Sequence, residues 1–328
     1  MDNMKPRDNC LDVLKAIMAI FIIFTHSSFS DTHRSWLLFP LIIDMAVPVF
    51  MIISGYVNSI SNENLSLREQ ITPQRLGRKI KRILLPFLPF AMFDIVYWVA
   101  IEKVGVKWSI INIVFQQWGD GGYYPIVMLE MILAFPLIHS LSQHRGGTVL
   151  IVVINIASEI LFNLGAKFGG VAGQVIVWVH RISLTRYLVF ILAGIFLYKY
   201  RDRIKISNTL LYGMIGIITI LVRYYFIPTP IIFSLWRSTA FYVVMWPLSW
   251  VMLFIYWNKK IKNKLLGLFG KASYHTFLVQ MLYYFLIKIG LFPEPGFIVN
   301  IIICLFAGQS YYQINTLGIN RIEEYKNV

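Results

Sequence analysis

Two ionisable side chains lie within the first long apolar stretch of the chain, LDVLKAIMAIFIIFTHSS, residues 11–28. Lys15 and His26 are eleven residues apart, and in an α-helix this spacing puts them on one face, about 16 Å apart along the axis. Ionisable groups inside a membrane helix are costly and usually face a cavity or a partner. His26 is therefore a candidate general base, because a neutral imidazole accepts a proton from a hydroxyl. Lys15 is a candidate cation near the inner mouth of the same pocket. The same spacing also fits a lysine anchored at the headgroups and a histidine that packs between helices.

Asp44 is the next candidate, in the second apolar stretch. A short loop joins this stretch to the first, so an antiparallel arrangement would bring the carboxylate towards His26 and let it orient the imidazole. The alternative is a hydrated carboxylate at the membrane surface.

A dense basic cluster, RLGRKIKR, occupies residues 75–82. Within it Arg78, Lys79 and Arg82 suit the phosphates of a cytosolic ligand, since guanidinium groups pair well with phosphate oxygens. The alternative is the excess of basic residues found in cytoplasmic loops together with attraction to anionic lipid.

Four further residues are candidates for binding an acceptor. Tyr123 and Tyr124 begin a later apolar stretch that contains Glu130, and Arg181 precedes another. Tyrosine rings offer a stacking surface for a sugar, and a carboxylate inside the membrane needs a partner or a proton. The tyrosines also fit an interfacial aromatic belt, and Arg181 fits a side chain that extends to the headgroups.

The composition indicates that these residues are carried by membrane-spanning helices. Of the 328 residues 57% are hydrophobic and only 14% are charged, with a mean hydropathy of +0.65, whereas soluble domains have about a quarter charged. About ten stretches are apolar over roughly the length that spans a bilayer. They are residues 12–29, 37–58, 84–104, 123–141, 147–165, 184–200, 207–226, 235–257, 273–290 and 296–314.

These stretches predict an all-α fold, a single transmembrane domain over residues 1–328 that forms a polytopic helical bundle in the cell membrane. Most Lys and Arg residues fall in alternate connecting segments, which predicts that both termini are cytoplasmic. The net charge of +14 comes from short clusters between apolar stretches, which argues against nucleic acid as a partner. Cys10 and Cys304 give neither a disulfide framework nor metal-ligand spacing, so no metal is expected. The sequence leaves a homo-oligomer open.

Five stretches, in this order, resemble the acyltransferase 3 family of integral membrane acyltransferases. They are LDVLKAIMAIFIIFTHS (11–27), AVPVFMIISGY (46–56), RKIKRILLPF (78–87), YYPIVMLEMILAFPLI (123–138) and FGKASYHTFLVQ (269–280). The family often has Arg where this chain has Lys15, and it usually has His where this chain has Gln280.

The resemblance implies transfer of an acyl group, usually acetyl, from cytosolic acetyl-CoA to a hydroxyl of a cell-surface polysaccharide or its lipid-linked precursor. It implies that His26 is the general base, while Lys15, Arg78, Lys79 and Arg82 hold the CoA phosphates. No cofactor beyond the acetyl-CoA substrate is implied, and direct transfer and a covalent acyl-histidine both stay open. A membrane transporter of a glycan or small metabolite is the alternative from another class, although no Gly-interrupted inverted repeat is visible.

Overall fold

The computed structural model describes residues 9–39, 41–115, 122–223, 239–257, 261 and 263–326. Within these ranges the secondary structure is helical and contains no strand, so the all-α prediction is confirmed. The described α-helices are α1 (Asn9–His26), α2 (Asp31–Trp36), α3 (Ala46–Ser61), α4 (Leu67–Gln70), α5 (Pro73–Ala100), α6 (Val106–Phe115), α7 (Tyr123–Ser142), α8 (Arg145–Gly165), α9 (Gly170–Ile182), α10 (Leu188–Lys199), α11 (Ile206–Leu221), α12 (Met245–Tyr256), α13 (Lys264–Lys271), α14 (Ser273–Lys288) and α15 (Phe297–Lys326).

Each of the ten predicted stretches coincides with one of these helices, but the number of spans is not settled by their lengths. By length and hydropathy, five described helices are able to cross a membrane, namely α1, α5, α7, α8 and the Phe297–Gly318 part of α15. The pair α9 and α10 passes the same test together but bends by 49° at its break. Three shorter apolar helices, Ala46–Ser61, Ile206–Leu221 and Phe241–Tyr256, complete the apolar set. Parts of the seventh and eighth predicted stretches lie outside the described residues.

Two predicted boundaries differ from the structure. The second predicted stretch begins at residue 37, but α3 begins at Ala46, after a turn that contains Leu38 with a left-handed φ of 50°. Pro48 sits in the first turn of α3, where its missing N–H costs nothing because the first four amides of a helix have no intrahelical partner. The third predicted stretch begins at residue 84, but α5 is one continuous helix from Pro73, so the basic cluster belongs to its first turns.

The short helix α4 leads into α5 through a capping box. The Ser66 amide donates to Glu69 Oε2 at 2.7 Å, and the Glu69 amide donates back to the Ser66 hydroxyl at 3.4 Å. Hydrogen bonds from Ser66 lower the pKa of the exposed Glu69, so its carboxylate stays charged at the N-terminus of α4. Proline is well suited to the first position of α5 because its φ is already helical.

Close backbone contacts bring the central helices together. Gly55 of α3 lies against the Ile191 carbonyl of α10, and Gly194 of α10 lies against the Ile52 carbonyl of α3. Lipid supplies no hydrophobic drive between helices, so small residues that let backbones approach closely are a main source of packing energy. The large buried core then runs from these two helices to α1, α5, α7, α12 and α14.

Two ends of the bundle can be named from these contacts. We call the end that carries the start of α5 the basic end, because it holds Arg75, Arg78, Lys79 and Arg82. The start of α14 lies at the same end, since the Tyr274 hydroxyl donates to the Ile83 carbonyl at 3.0 Å. The start of α1 also lies there, since Gly270 packs on the Asp12 backbone. His26 ends α1 at the opposite end, which we call the His26 end.

Candidate active site

His26 is the last residue of α1 and is half-buried. Its ring lies beside Tyr284 of α14, with 5.9 Å between ring centroids. The next residue, Ser27, lies 2.7 Å from the Tyr284 hydroxyl, which itself donates to the Ile23 carbonyl at 3.0 Å. The C-terminal turn of α1, which carries His26, is thereby held against α14.

Three residues from the C-terminal part of the chain, Tyr283, Glu294 and Asn300, extend this contact between α1 and α14. Asn300 of α15 donates to the Ser27 hydroxyl at 3.4 Å and accepts from the Tyr283 hydroxyl at 2.7 Å. Glu294 accepts from the Ser28 amide at 2.9 Å. The sequence did not predict these partners, because they are more than 250 residues from α1 and carry no short-range signal.

Lys15 forms an ion pair with Asp12, which is one turn earlier in α1, with 3.1 Å between Nζ and Oδ1. The Asp12 side chain is 1% exposed and that of Lys15 is 18% exposed. A carboxylate in the first turn is also favoured by the helix dipole. Lys15 lies at the basic end, where it shares its charge with a carboxylate that sequence analysis did not consider. The spacing of three residues within a helix is the signal that identifies such a pair.

Asp44 lies in the turn before α3, so it is outside the helix in which the sequence had placed it. It is half-buried, and its amide donates to the Phe39 carbonyl at 2.9 Å. A turn precedes α3 because the chain must reverse its direction between α1 and α3. The contact between Asp44 and His26 stays a prediction.

The predicted donor residues differ in their surroundings at the basic end. Arg78 and Arg82 are exposed, whereas Lys79 is half-buried and donates to Asn58 Oδ1 of α3 at 3.2 Å. Residues spaced three and four apart share a helix face, so the three cations lie on one side of α5. The two arginines are open to a ligand, and Lys79 also joins α5 to the end of α3.

The two predicted tyrosines have separate environments. Tyr124 is buried in the core, where its ring lies 4.8 Å from that of Phe277 and 6.3 Å from that of Phe50. Tyr123 is half-buried and lies beneath a guanidinium, with 5.8 Å from the Arg186 Cζ to its ring centroid. Tyr124 is therefore not part of an interfacial aromatic belt, and only Tyr123 lies beside a charged group.

Glu130 and Arg181 each make a hydrogen bond at the break between α9 and α10. Glu130 Oε2 accepts from the Leu184 amide at 2.7 Å, where the chain changes direction. The Arg181 carbonyl accepts from Arg186 Nη1 at 3.4 Å. Glu130 and Arg181 thus lie at this bend, Tyr123 lies near it through Arg186, and Tyr124 lies in the core. Their role in binding an acceptor stays a prediction.

Arg186 is the central residue of this bend, and the predicted site had not included it. It is 3% exposed, and its Nε and Nη2 donate to the Thr239 hydroxyl at 3.2 Å and 2.7 Å. Two further polar side chains of this part of the bundle, Glu159 and His180, are also buried, and Glu159 Oε2 accepts from the Phe241 amide at 3.4 Å. The buried Arg186 guanidinium is thus a second polar feature within the bundle, remote in sequence from α1.

A groove of about 510 Å³ opens beside this bend. Most of its lining is apolar, and three hydroxyl residues lie along it. The lining residues are Ser158, Leu161, Phe162, Gly165, Phe168, Ile176, Ser183 and Thr185. The ring of Phe162, which lines the groove, lies 4.8 Å from that of His180.

Comparison with known families gives one match that covers nearly the whole chain. The family model Acyl_transf_3, described as an acyltransferase domain, matches residues 8–308. No curated protein and no solved structure gives a significant match. The match includes all the predicted site residues, from Lys15 and His26 to Arg181. The chain therefore belongs to the acyltransferase 3 family of membrane acyltransferases.

Proposed function

We propose that this protein is a membrane O-acetyltransferase that moves an acetyl group from cytosolic acetyl-CoA to a hydroxyl of a cell-surface polysaccharide or its lipid-linked precursor. One observation carries the proposal within the family. A half-buried imidazole, His26, ends α1 beside Tyr284, at the opposite end of the helix from Lys15 and the basic cluster. A base at one end and cations at the other suit an acceptor and a phosphorylated donor that arrive from opposite sides.

The proposed acetyl transfer needs one side chain that takes up and returns a proton, and we assign this role to His26. The neutral His26 imidazole takes the proton of the acceptor hydroxyl while its oxygen attacks the thioester carbonyl carbon. The carbon–sulfur bond then breaks, and the CoA thiolate takes the proton from the imidazolium. The products are an acetyl ester and CoA, and the imidazole is neutral again.

The donor phosphates would bind at the basic end. Arg78 and Arg82 are exposed on one face of α5, and their guanidinium groups match phosphate oxygens. Lys15 and Lys79 add positive charge, although each also has a protein partner, Asp12 and Asn58. The thioester would extend from this cluster along the bundle towards His26.

The acceptor residues that we favour are those at the bend, with Tyr123 beside Arg186 as the charged and aromatic pair. Arg181 lies next to it, whereas Glu130 holds the Leu184 amide. Tyr124 contributes through packing, since its ring faces Phe50 and Phe277.

The test is transfer of labelled acetyl from acetyl-CoA to glycan in isolated membranes. His26→Ala should lower the rate about 100-fold or more, which is the usual contribution of a general base. His33→Gln is the matched control, because His33 is exposed in α2 and lies outside the proposed site. Label on glycan with the wild-type protein would also exclude the transporter alternative. Full activity of His26→Ala, at equal amounts of protein in the membrane, would contradict the assignment.

A further inference from the structure

The last turn of α1, which carries His26, is held by hydrogen bonds from a single tyrosine of α14. The Tyr284 hydroxyl donates to the Ile23 carbonyl at 3.0 Å and lies 2.7 Å from the Ser27 hydroxyl. Ile23 precedes His26 in the chain and Ser27 follows it, and the two are one helical turn apart. Both hydrogen bonds therefore act on the turn that carries the imidazole.

Asn300 supports the same turn from a second helix, α15. Its Nδ2 donates to the Ser27 hydroxyl at 3.4 Å, while its Oδ1 accepts from the Tyr283 hydroxyl at 2.7 Å. Asn300 is 0% exposed and Ser27 is 3% exposed, so these hydrogen bonds lie away from solvent, where they are stronger than at a surface. The residue that follows His26 is thus held by α14 and α15 together.

The position of His26 at the end of its helix makes this support important for catalysis. His26 is the last residue of α1, and helix ends fray because their last carbonyls have no intrahelical partner. A general base must stay within hydrogen-bond reach of the proton that it takes, and a displacement of about 1 Å can lower a rate about 100-fold. A hydrogen bond that holds this turn therefore affects the rate through the position of the imidazole.

Apolar packing alone does not account for the Tyr284 hydroxyl. In the same turn of α1, the Phe24 ring lies 5.5 Å from that of Phe297 and 5.8 Å from that of Phe29, which supplies apolar contacts. A hydroxyl adds direction to such a contact, because a hydrogen bond weakens as it departs from a linear geometry. The Tyr284 ring also lies beside that of His26 at 5.9 Å, within the range of paired aromatic rings.

We propose that Tyr284 is a positioning residue for His26, with Asn300 as its support on the Ser27 side. This inference rests on the proposed function. Tyr284 donates its hydroxyl proton to the Ile23 carbonyl and keeps it throughout, so His26 remains the base and no step is added to the reaction. The hydroxyl keeps the last turn of α1 in one place, and the imidazole consequently stays in reach of the acceptor hydroxyl.

The experiment measures transfer of labelled acetyl to glycan in isolated membranes over a range of acetyl-CoA concentrations. Tyr284→Phe keeps the ring and removes the hydroxyl, and it should lower kcat about 10-fold while the KM for acetyl-CoA stays unchanged. Ser27→Ala removes the other partner of the same hydrogen bond and should lower kcat in the same way. Adding Tyr284→Phe to His26→Ala should lower the residual rate no further, because no base is then left to position.

Tyr311→Phe is the matched control, because the Tyr311 hydroxyl also donates to a carbonyl of another helix, that of Pro86, at 2.7 Å. The two phenylalanine variants should have similar thermal midpoints, and only Tyr284→Phe should lose kcat. Wild-type kcat in Tyr284→Phe, equal loss of kcat in both variants, or a further loss in the His26→Ala background would overturn the inference. Each of these results leaves the proposed function intact, whereas full activity of His26→Ala would contradict the proposed base and with it the role of Tyr284.

Discussion

Lys15 has two potential roles that a single substitution cannot separate. It neutralises the buried Asp12 carboxylate at 3.1 Å, and it is a proposed cation for the donor. We expect Lys15→Met to lower the free energy of unfolding by about 1–3 kcal/mol, because it removes this cation from a buried carboxylate. The measurement is the thermal midpoint of the purified protein, with Lys15→Arg as the variant that keeps the charge.

The double variant Asp12→Asn/Lys15→Met separates the two roles. Removing both charges should restore most of the stability, since neither charge is then left without the other. A raised KM for acetyl-CoA that persists in the double variant would assign Lys15 to the donor. A Lys15→Met protein as stable as the wild type would show that the pair does not contribute to folding.

Sequence periodicity predicted the positions of Lys15 and His26 well because both depend only on a regular helix. It did not identify the residues that hold the end of α1, because Tyr284 reaches His26 and Ser27, Asn300 reaches Ser27, and Glu294 reaches Ser28 only through tertiary packing. Asp12 is an intermediate case, since the i, i+3 spacing to Lys15 is visible in the sequence.

At the scale of the elements, the bend between α9 and α10 depends on Glu130. Its carboxylate accepts from the Leu184 amide, which has no helical partner at the break. Glu130→Leu should lower the free energy of unfolding by about 1–3 kcal/mol, whereas Glu130→Gln keeps an oxygen acceptor and should lose little. The readouts are thermal midpoint and acetyl transfer. Loss of transfer in Glu130→Gln with unaltered stability would show that the charge itself acts on the acceptor.

The crossing of α3 and α10 is a close backbone contact between helices far apart in the chain. A Cβ at residue 194 would meet the Ile52 carbonyl and the Tyr56 amide. Gly194→Ala should therefore force the helices apart and cost about 1–3 kcal/mol of stability. Gly77→Ala is the matched control, because a Cβ there meets no atom within 4 Å and alanine favours a helix by about 0.5–1 kcal/mol. Equal thermal midpoints for the two variants would contradict this account.

The helical elements themselves were largely predictable, and their ends were not. Apolar stretches of bilayer length identified a helix in each of the ten predicted places. The third predicted stretch begins eleven residues after the start of α5, because basic side chains interrupt the apolar pattern there, although they also fit the end of a long helix. The start of α3 was placed early because residues 37–45 are as apolar as the helix that follows them.

At the scale of the whole molecule, the number of membrane spans depends on whether α9 and α10 cross the membrane together as one bent span. The two helices have 13 and 12 residues, so each is about 18–20 Å long. This is shorter than the hydrocarbon core of about 30 Å, and we therefore expect them to form one bent span. Lys167 and Asp202, which flank the pair and are exposed, should then lie on opposite sides of the membrane.

Cysteine labelling in intact cells tests this arrangement, because native Cys10 and Cys304 are both buried. With both termini cytoplasmic, a membrane-impermeant maleimide should label Lys167→Cys in intact cells but should label Asp202→Cys only after permeabilisation. Arg68→Cys, exposed in α4 at the basic end, is the control for the cytoplasmic side. Labelling of residues 167 and 202 from the same side would mean that α9 and α10 do not form one span. Labelling of residue 68 in intact cells would reverse the orientation, and the basic end would then face away from cytosolic acetyl-CoA.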